Sequence, residues 1–160
     1  MEKPRRPVHR QQRRVAAIER VRIYAELFKT ILSCYSEVPP EQGGILGMRG
    51  GVVCAYVHDS SAKLMDCAVY EPNTSLLNRC IQEWSRDGVA FCGIVHSHPR
   101  AQTTLSSDDT AYISELYRVN PWLKVTYYPL VLNQREIFVF KAENRRGLVK
   151  IERDSIILVK

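Results

Sequence analysis

The chain has 160 residues, enough for one ordinary domain with its own core and no need of disulfides. Apolar residues make up 45% and charged residues 25%, the composition of a soluble globular protein, and no apolar run approaches the roughly 18 residues of a membrane-spanning helix, which excludes a helical membrane protein. The net charge of +6 lies wholly within the first 22 residues, where eight basic side chains stand against two acidic ones, so the remaining chain is neutral and the charge belongs to an N-terminal arm, read as solvated, with docking to an acidic partner or nucleic acid as the alternative.

In chain order, residues 1–14 read as a flexible basic arm, with Pro4 and Pro7 and the arginine pairs Arg5-Arg6 and Arg13-Arg14. A single domain over residues 15–160 follows. Val15 to Ile18 is too short an apolar stretch for a secretory signal. Ile18, Val21, Ala25, Phe28 and Leu32 recur at spacings of three and four, which predicts a helix from Val15 to Cys34, ended by Pro39 and Pro40. A short glycine-bearing strand at 41–47 and a second at Val52 to His58 form a predicted hairpin about Arg49 to Gly51. A third strand is expected over Leu64 to Tyr70, then a helix capped at Asn73 or Thr74 and running to about Asp87. Val89 to His96 is nearly all apolar, the pattern of a central strand buried on both faces. A helix from about Ser107 to Val119 and strands near Lys124 to Leu132, Glu136 to Lys141 and Leu148 to Ile151 complete the chain. That order implies an α/β (α+β) fold, a mixed and mostly antiparallel central sheet flanked by helices.

The five cysteines, Cys34, Cys54, Cys67, Cys80 and Cys92, form no C-x-x-C pair and have apolar neighbours, so they read as reduced core thiols in a cytoplasmic protein.

Chemistry concentrates in His96-Ser97-His98-Pro99 and in Ser106 and Asp109. Two histidines two apart at the end of a strand point to the same side of the sheet and can reach one metal ion. Pro99 biases His98 toward an extended conformation. Asp109 falls in the first turn of the next helix, from which its carboxylate can turn back to the pair. Two nitrogens and one oxygen leave a fourth position for water, the pattern of catalytic zinc, which activates water near neutral pH. Ser106-x-x-Asp109 is also a helix capping box, and that ordinary role is compatible with the other.

His96-x-His98, seven residues, then Ser106-x-x-Asp109 resembles the H-x-H-x7-S-x2-D signature of the JAMM (MPN-plus, prokaryotic JAB-type) zinc metalloproteases. Glu41, ahead of Gln42-Gly43-Gly44-Ile45-Leu46-Gly47, is similar to the upstream glutamate of that family. The resemblance implies a JAMM/MPN fold of the cytidine-deaminase-like layered type and one Zn2+ per chain held by His96, His98 and Asp109. It further implies Glu41 as general base and Ser106 as donor to the oxyanion. The implied activity is that of a deubiquitinase-like isopeptidase or peptidase acting after the C-terminal tail of a ubiquitin-like protein, in deconjugation or precursor processing. The compact chain resembles prokaryotic members, some placed beside activating and conjugating enzymes of ubiquitin-like pathways and some in antiviral defence. The tail would lie extended as an added strand beside the site. The alternative is a non-catalytic MPN scaffold, which typically lacks the metal ligands present here.

Overall fold

The structure, a computed structural model, describes residues 20–35, 41–60, 70, 72–99, 102–132 and 136–160. The basic arm, Cys67, the expected strand at Leu64 to Tyr70 (save Tyr70 itself) and the proline stop at 39 and 40 lie outside these residues.

Strand β1, Val21–Tyr24, opens the described chain and runs directly into helix α1, Ala25–Cys34. The helix expected from Val15 onward therefore begins only at Ala25. Val21 and Ile23 are buried while Arg22 and Tyr24 are exposed, so burial along this segment has the period of a strand. Val21 and Ala25 also fit a helical spacing of four, and the choice was made by distant partners. β1 pairs in parallel with β3, Val52–His58, and with β8, Ile156–Val159.

The hairpin of β2, Gly43–Arg49, and β3 turns at Gly50 and Gly51, whose φ of 58° and 77° match a two-residue primed turn. Helix α2, Thr74–Arg86, is capped by the Asn73 side chain, which accepts from the Leu76 amide at 3.1 Å. Strand β4, Ala90–Ser97, leads to helix α3, Ser107–Val119, and then to β5, Val125–Val131, β6, Ile137–Arg145, and β7, Leu148–Asp154. Both helices match the sequence expectation, while β8 was not foreseen.

The eight described strands form one sheet in the order β7-β6-β5-β4-β2-β3-β1-β8. It is mixed and mostly antiparallel, with parallel contacts at β1/β3, β1/β8 and β4/β5. Only Ser155 separates β7 and β8, which lie at opposite edges of the order, so the sheet must curl until its edges approach. A cavity lined by Phe28, Phe138, Arg153 and Ile156 lies at that end of the molecule, and none of the predicted site residues lines it.

One core cluster, with Ile31, Tyr35, Leu46, Val53, Val95 and Val139, fills the space between the sheet and α1. A second, with Ile45, Leu77, Ile94, Ile113, Tyr117 and Leu130, lies between the sheet and α2 and α3. Ile94 and Val95 belong to different clusters, so β4 is buried on both faces, as its apolar run implied. The cysteines at 34, 54, 80 and 92 are free, and Cys92 is buried.

Candidate metal centre

Side chains alternate across a strand, so His96 shares the face of Ile94, toward α2 and α3. His98, one residue past the end of β4, returns to the same side. Its amide donates to the Val131 carbonyl at 3.0 Å, tying it to β5. The two rings meet nearly edge to face, with Nε2 to Nε2 at 2.9 Å, and both residues are buried.

Asp109 arrives from α3 by way of the helix cap. The Ser106 hydroxyl accepts from the Asp109 amide at 3.1 Å, and Asp109 Oδ2 accepts from the Ser106 amide at 2.7 Å and from its hydroxyl at 2.8 Å. This reciprocal capping box fixes the carboxylate with Oδ1 3.1 Å from His96 Nε2 and Oδ2 3.2 Å from His98 Nε2. Neighbouring Asp108 is exposed to solvent.

Glu41 comes from the opposite side, immediately before β2. The next residue, Gln42, is locked to the serine between the histidines: the Ser97 amide donates to the Gln42 carbonyl at 2.8 Å and the Gln42 amide to Ser97 Oγ at 2.9 Å. Glu41 Oε2 accepts from the Tyr70 amide at 3.2 Å. One ligand atom from each of Glu41, His96 and His98 lies within 4.8 Å of the others. Two carboxylates thus flank one imidazole pair: Glu41 within that cluster, Asp109 in direct contact with both rings.

Burial disfavours charge on Asp109, but hydrogen bonds from His96 and His98 outweigh it and hold the carboxyl well below the usual carboxylate range. Burial likewise opposes protonation of His98. The hydrogen bond and charge of Asp109, the charge of Glu41 and the Gln102 carbonyl overcome it and raise the imidazole above its ordinary value of 6.5.

These residues suit a small divalent cation. His98 Nδ1 lies 3.3 Å from the Gln102 carbonyl, which can only accept, so in the neutral ring that a metal requires the proton sits on Nδ1 and the Nε2 lone pair faces His96 and Asp109. The two imidazole nitrogens stand 2.9 Å apart, and each faces its own Asp109 oxygen, Oδ1 at 3.1 Å from His96 and Oδ2 at 3.2 Å from His98, so the carboxylate spans the pair. Three converging electron-pair donors repel one another unless a proton or a metal ion lies between them.

All five residues singled out in the sequence, Glu41, His96, His98, Ser106 and Asp109, come together here. Of the residues that hold them, Gln42, Tyr70 and Gln102 act through backbone groups that leave no mark on residue type, while Ser97 adds its hydroxyl. Strands β2, β4 and β5, which end at the site, are each paired on both sides. A substrate tail laid down as an added strand therefore finds no open edge there among the described residues.

The family model for prokaryotic homologs of the JAB domain matches residues 28–142. The chain belongs to that family, in which metal-dependent isopeptidases stand beside non-catalytic members. Among solved structures it is similar to the solution structure of a protein from Desulfitobacterium hafniense, with 16% identity, a TM-score of 0.62, and coverage of 88% of this chain and 93% of that one. It is also similar to the crystal structure of a JAB1/MPN domain protein from Archaeoglobus fulgidus, with 19% identity, a TM-score of 0.50, and coverage of 88% and 98%. At such identities the likeness is one of fold. No curated protein sequence matches the chain. No helix among the described residues is long and apolar enough to cross a membrane.

Proposed function

We propose that the protein is a zinc-dependent isopeptidase or peptidase that hydrolyses the amide after the C-terminal tail of a ubiquitin-like protein, in deconjugation or precursor processing. The observation that carries this reading is the convergence of Asp109 and Glu41 on the buried imidazole pair of His96 and His98. Membership of a family that includes metal-dependent isopeptidases supports it.

His96, His98 and Asp109 would hold the zinc, which when bound would supply a Lewis acid for the amide carbonyl and bring the pKa of water to about 7. Glu41, beside the pair, takes the proton of the attacking water and delivers it to the leaving amine. Ser106 serves the oxyanion of the substrate. Its hydroxyl hydrogen can rotate from Asp109 Oδ2 to substrate because that oxygen keeps the Ser106 amide as donor. A ubiquitin-like protein or its conjugate is the substrate, and the activating and conjugating enzymes of the same pathway are the associated partners. The free cysteines support a cytoplasmic setting.

The test is incubation of the purified protein with a ubiquitin-like protein fused through its tail to a reporter. Cleavage is expected, abolished by chelator, restored by zinc, and slowed at least about a hundredfold by Glu41→Gln. Cleavage indifferent to chelator and to that substitution contradicts the proposal.

A further inference from the structure

Asp59 is an acid that the proposed chemistry does not use, yet it is 3% exposed. It stands just past the end of β3, where its amide donates to the Gly43 carbonyl at 2.9 Å and so ties it to the first residue of β2. Its side chain gathers the chain that returns toward the site. Oδ2 accepts from the Tyr70 hydroxyl at 3.0 Å and from the Asn73 amide at 2.7 Å. The phenol keeps its proton, because burial and then the Asp59 carboxylate push its pKa far above the ordinary 10. Tyr70 is therefore held at both ends. Its hydroxyl is bound to Asp59, its ring lies where a Cβ on Gly43 would stand, and its amide donates to Glu41 Oε2 at 3.2 Å.

From this chain of contacts we infer that Asp59 is a positioning residue for Glu41, acting through Tyr70: it sets the amide that orients the carboxylate beside His96 and His98. The inference rests on the proposed role of Glu41 as base. A carboxylate on a loop before a strand has free side-chain torsions, and a proton acceptor must sit within hydrogen-bond reach of the proton it takes. On the Gln42 side the backbone is fixed by Ser97, but that bond leaves the Glu41 side chain unconstrained. Tyr70 supplies the missing constraint. A purely structural Asp59, serving only to close the chain before α2, would leave the carboxylate's orientation independent of the Tyr70 hydroxyl.

The experiment compares wild type, Tyr70→Phe and Asp59→Asn, with Glu41→Gln as reference. Tyr70→Phe keeps the ring over Gly43 and the backbone amide while releasing Asp59, so it preserves the fold even if Asp59→Asn proves too unstable to purify. The first readout is the proton chemical shift of the residue-70 amide, which reports its hydrogen bond to the carboxylate and needs neither metal nor activity. The second is turnover of the tail fusion, with zinc content measured alongside. The expected result is an upfield move of the amide in Tyr70→Phe in the direction seen in Glu41→Gln. With it should come a fall in kcat of about tenfold to a hundredfold, with KM and zinc content unchanged. An unmoved amide overturns the inference whatever the activity. A moved amide with unchanged kcat overturns it as well, since the orientation would then not matter to turnover. A moved amide in a wild-type protein that cleaves nothing supports the link from Asp59 to Glu41 and counts against the isopeptidase reading instead.

Discussion

His98 and Asp109 tie the site to pH. The raised pKa of His98 means that, without metal, its charged pairing adds stability that is fully present below pH 6.5 and is lost as the pH rises through the higher folded value. Asp109 has the opposite sign: its depressed pKa adds stability above the ordinary carboxylate value of 3.8, lost only as the pH falls toward the lower folded one. Zinc reverses the slope for His98, since a ligating imidazole must be neutral and protons compete with the metal. Thermal unfolding between about pH 6 and pH 8, in chelator and in zinc, is expected to give midpoints that separate as the pH rises. A constant separation contradicts the account. At this scale the sequence was highly legible. His96, His98, Ser106 and Asp109 occupy fixed offsets in one short segment, and strand alternation followed by a helix cap decides where they point. Ser97 lies inside the same motif, yet its part was hidden because it depends on pairing with Gln42, 55 residues away.

The elements differ in how far they are determined locally. Helix α3 carries its own start signal in Ser106 and Asp109, and the structure places its cap at Ser106 as expected. That serine has two separable roles. Glycine is nearly as good an N-cap, so Ser106→Gly should cost only a few tenths of a kcal/mol in stability. Loss of the hydroxyl as oxyanion donor should lower kcat by roughly a hundredfold. Chemical denaturation beside steady-state kinetics checks both, and a kcat that falls no further than stability would assign Ser106 to the cap alone. Strand β1 is the contrary case: its four residues fit a helix by spacing, and only β3 and β8 make them a strand. β8 leaves no local signal for the same reason, its parallel partner being at the other end of the chain. The register of β4 against β5 has a steric lock. A Cβ on Gly93 would collide with the backbone of Tyr127, including its carbonyl oxygen. Gly93→Ala is accordingly expected to lower stability by about 3 kcal/mol and to weaken zinc binding, because the pairs His96 with Leu130 and Ser97 with Val131 belong to the same ladder. Denaturant titration with zinc calorimetry reads both effects, and a variant as stable as wild type would contradict the lock.

For the whole molecule, composition and element order were enough to anticipate helices against a mixed sheet, because apolar periodicity reports which faces are buried. The strand order and the curl were not available from that pattern: β8 follows β7 across Ser155 alone, yet it pairs with β1 at the far edge of the sheet. This arrangement sets β4 in the middle of the sheet with a core on either side, so the histidine pair stands on a rigid strand while both carboxylates are brought to it, one from the approach to β2 and one from α3. The central claim is that His96, His98 and Asp109 hold the metal while Glu41 acts on the water and substrate. Zinc content of the purified protein and its variants tests it most directly. About one zinc per chain is expected in wild type and in Glu41→Gln, and almost none in His96→Ala or Asp109→Asn. A wild type that binds no zinc, or a protein that loses its metal with Glu41→Gln and keeps it with Asp109→Asn, would contradict it.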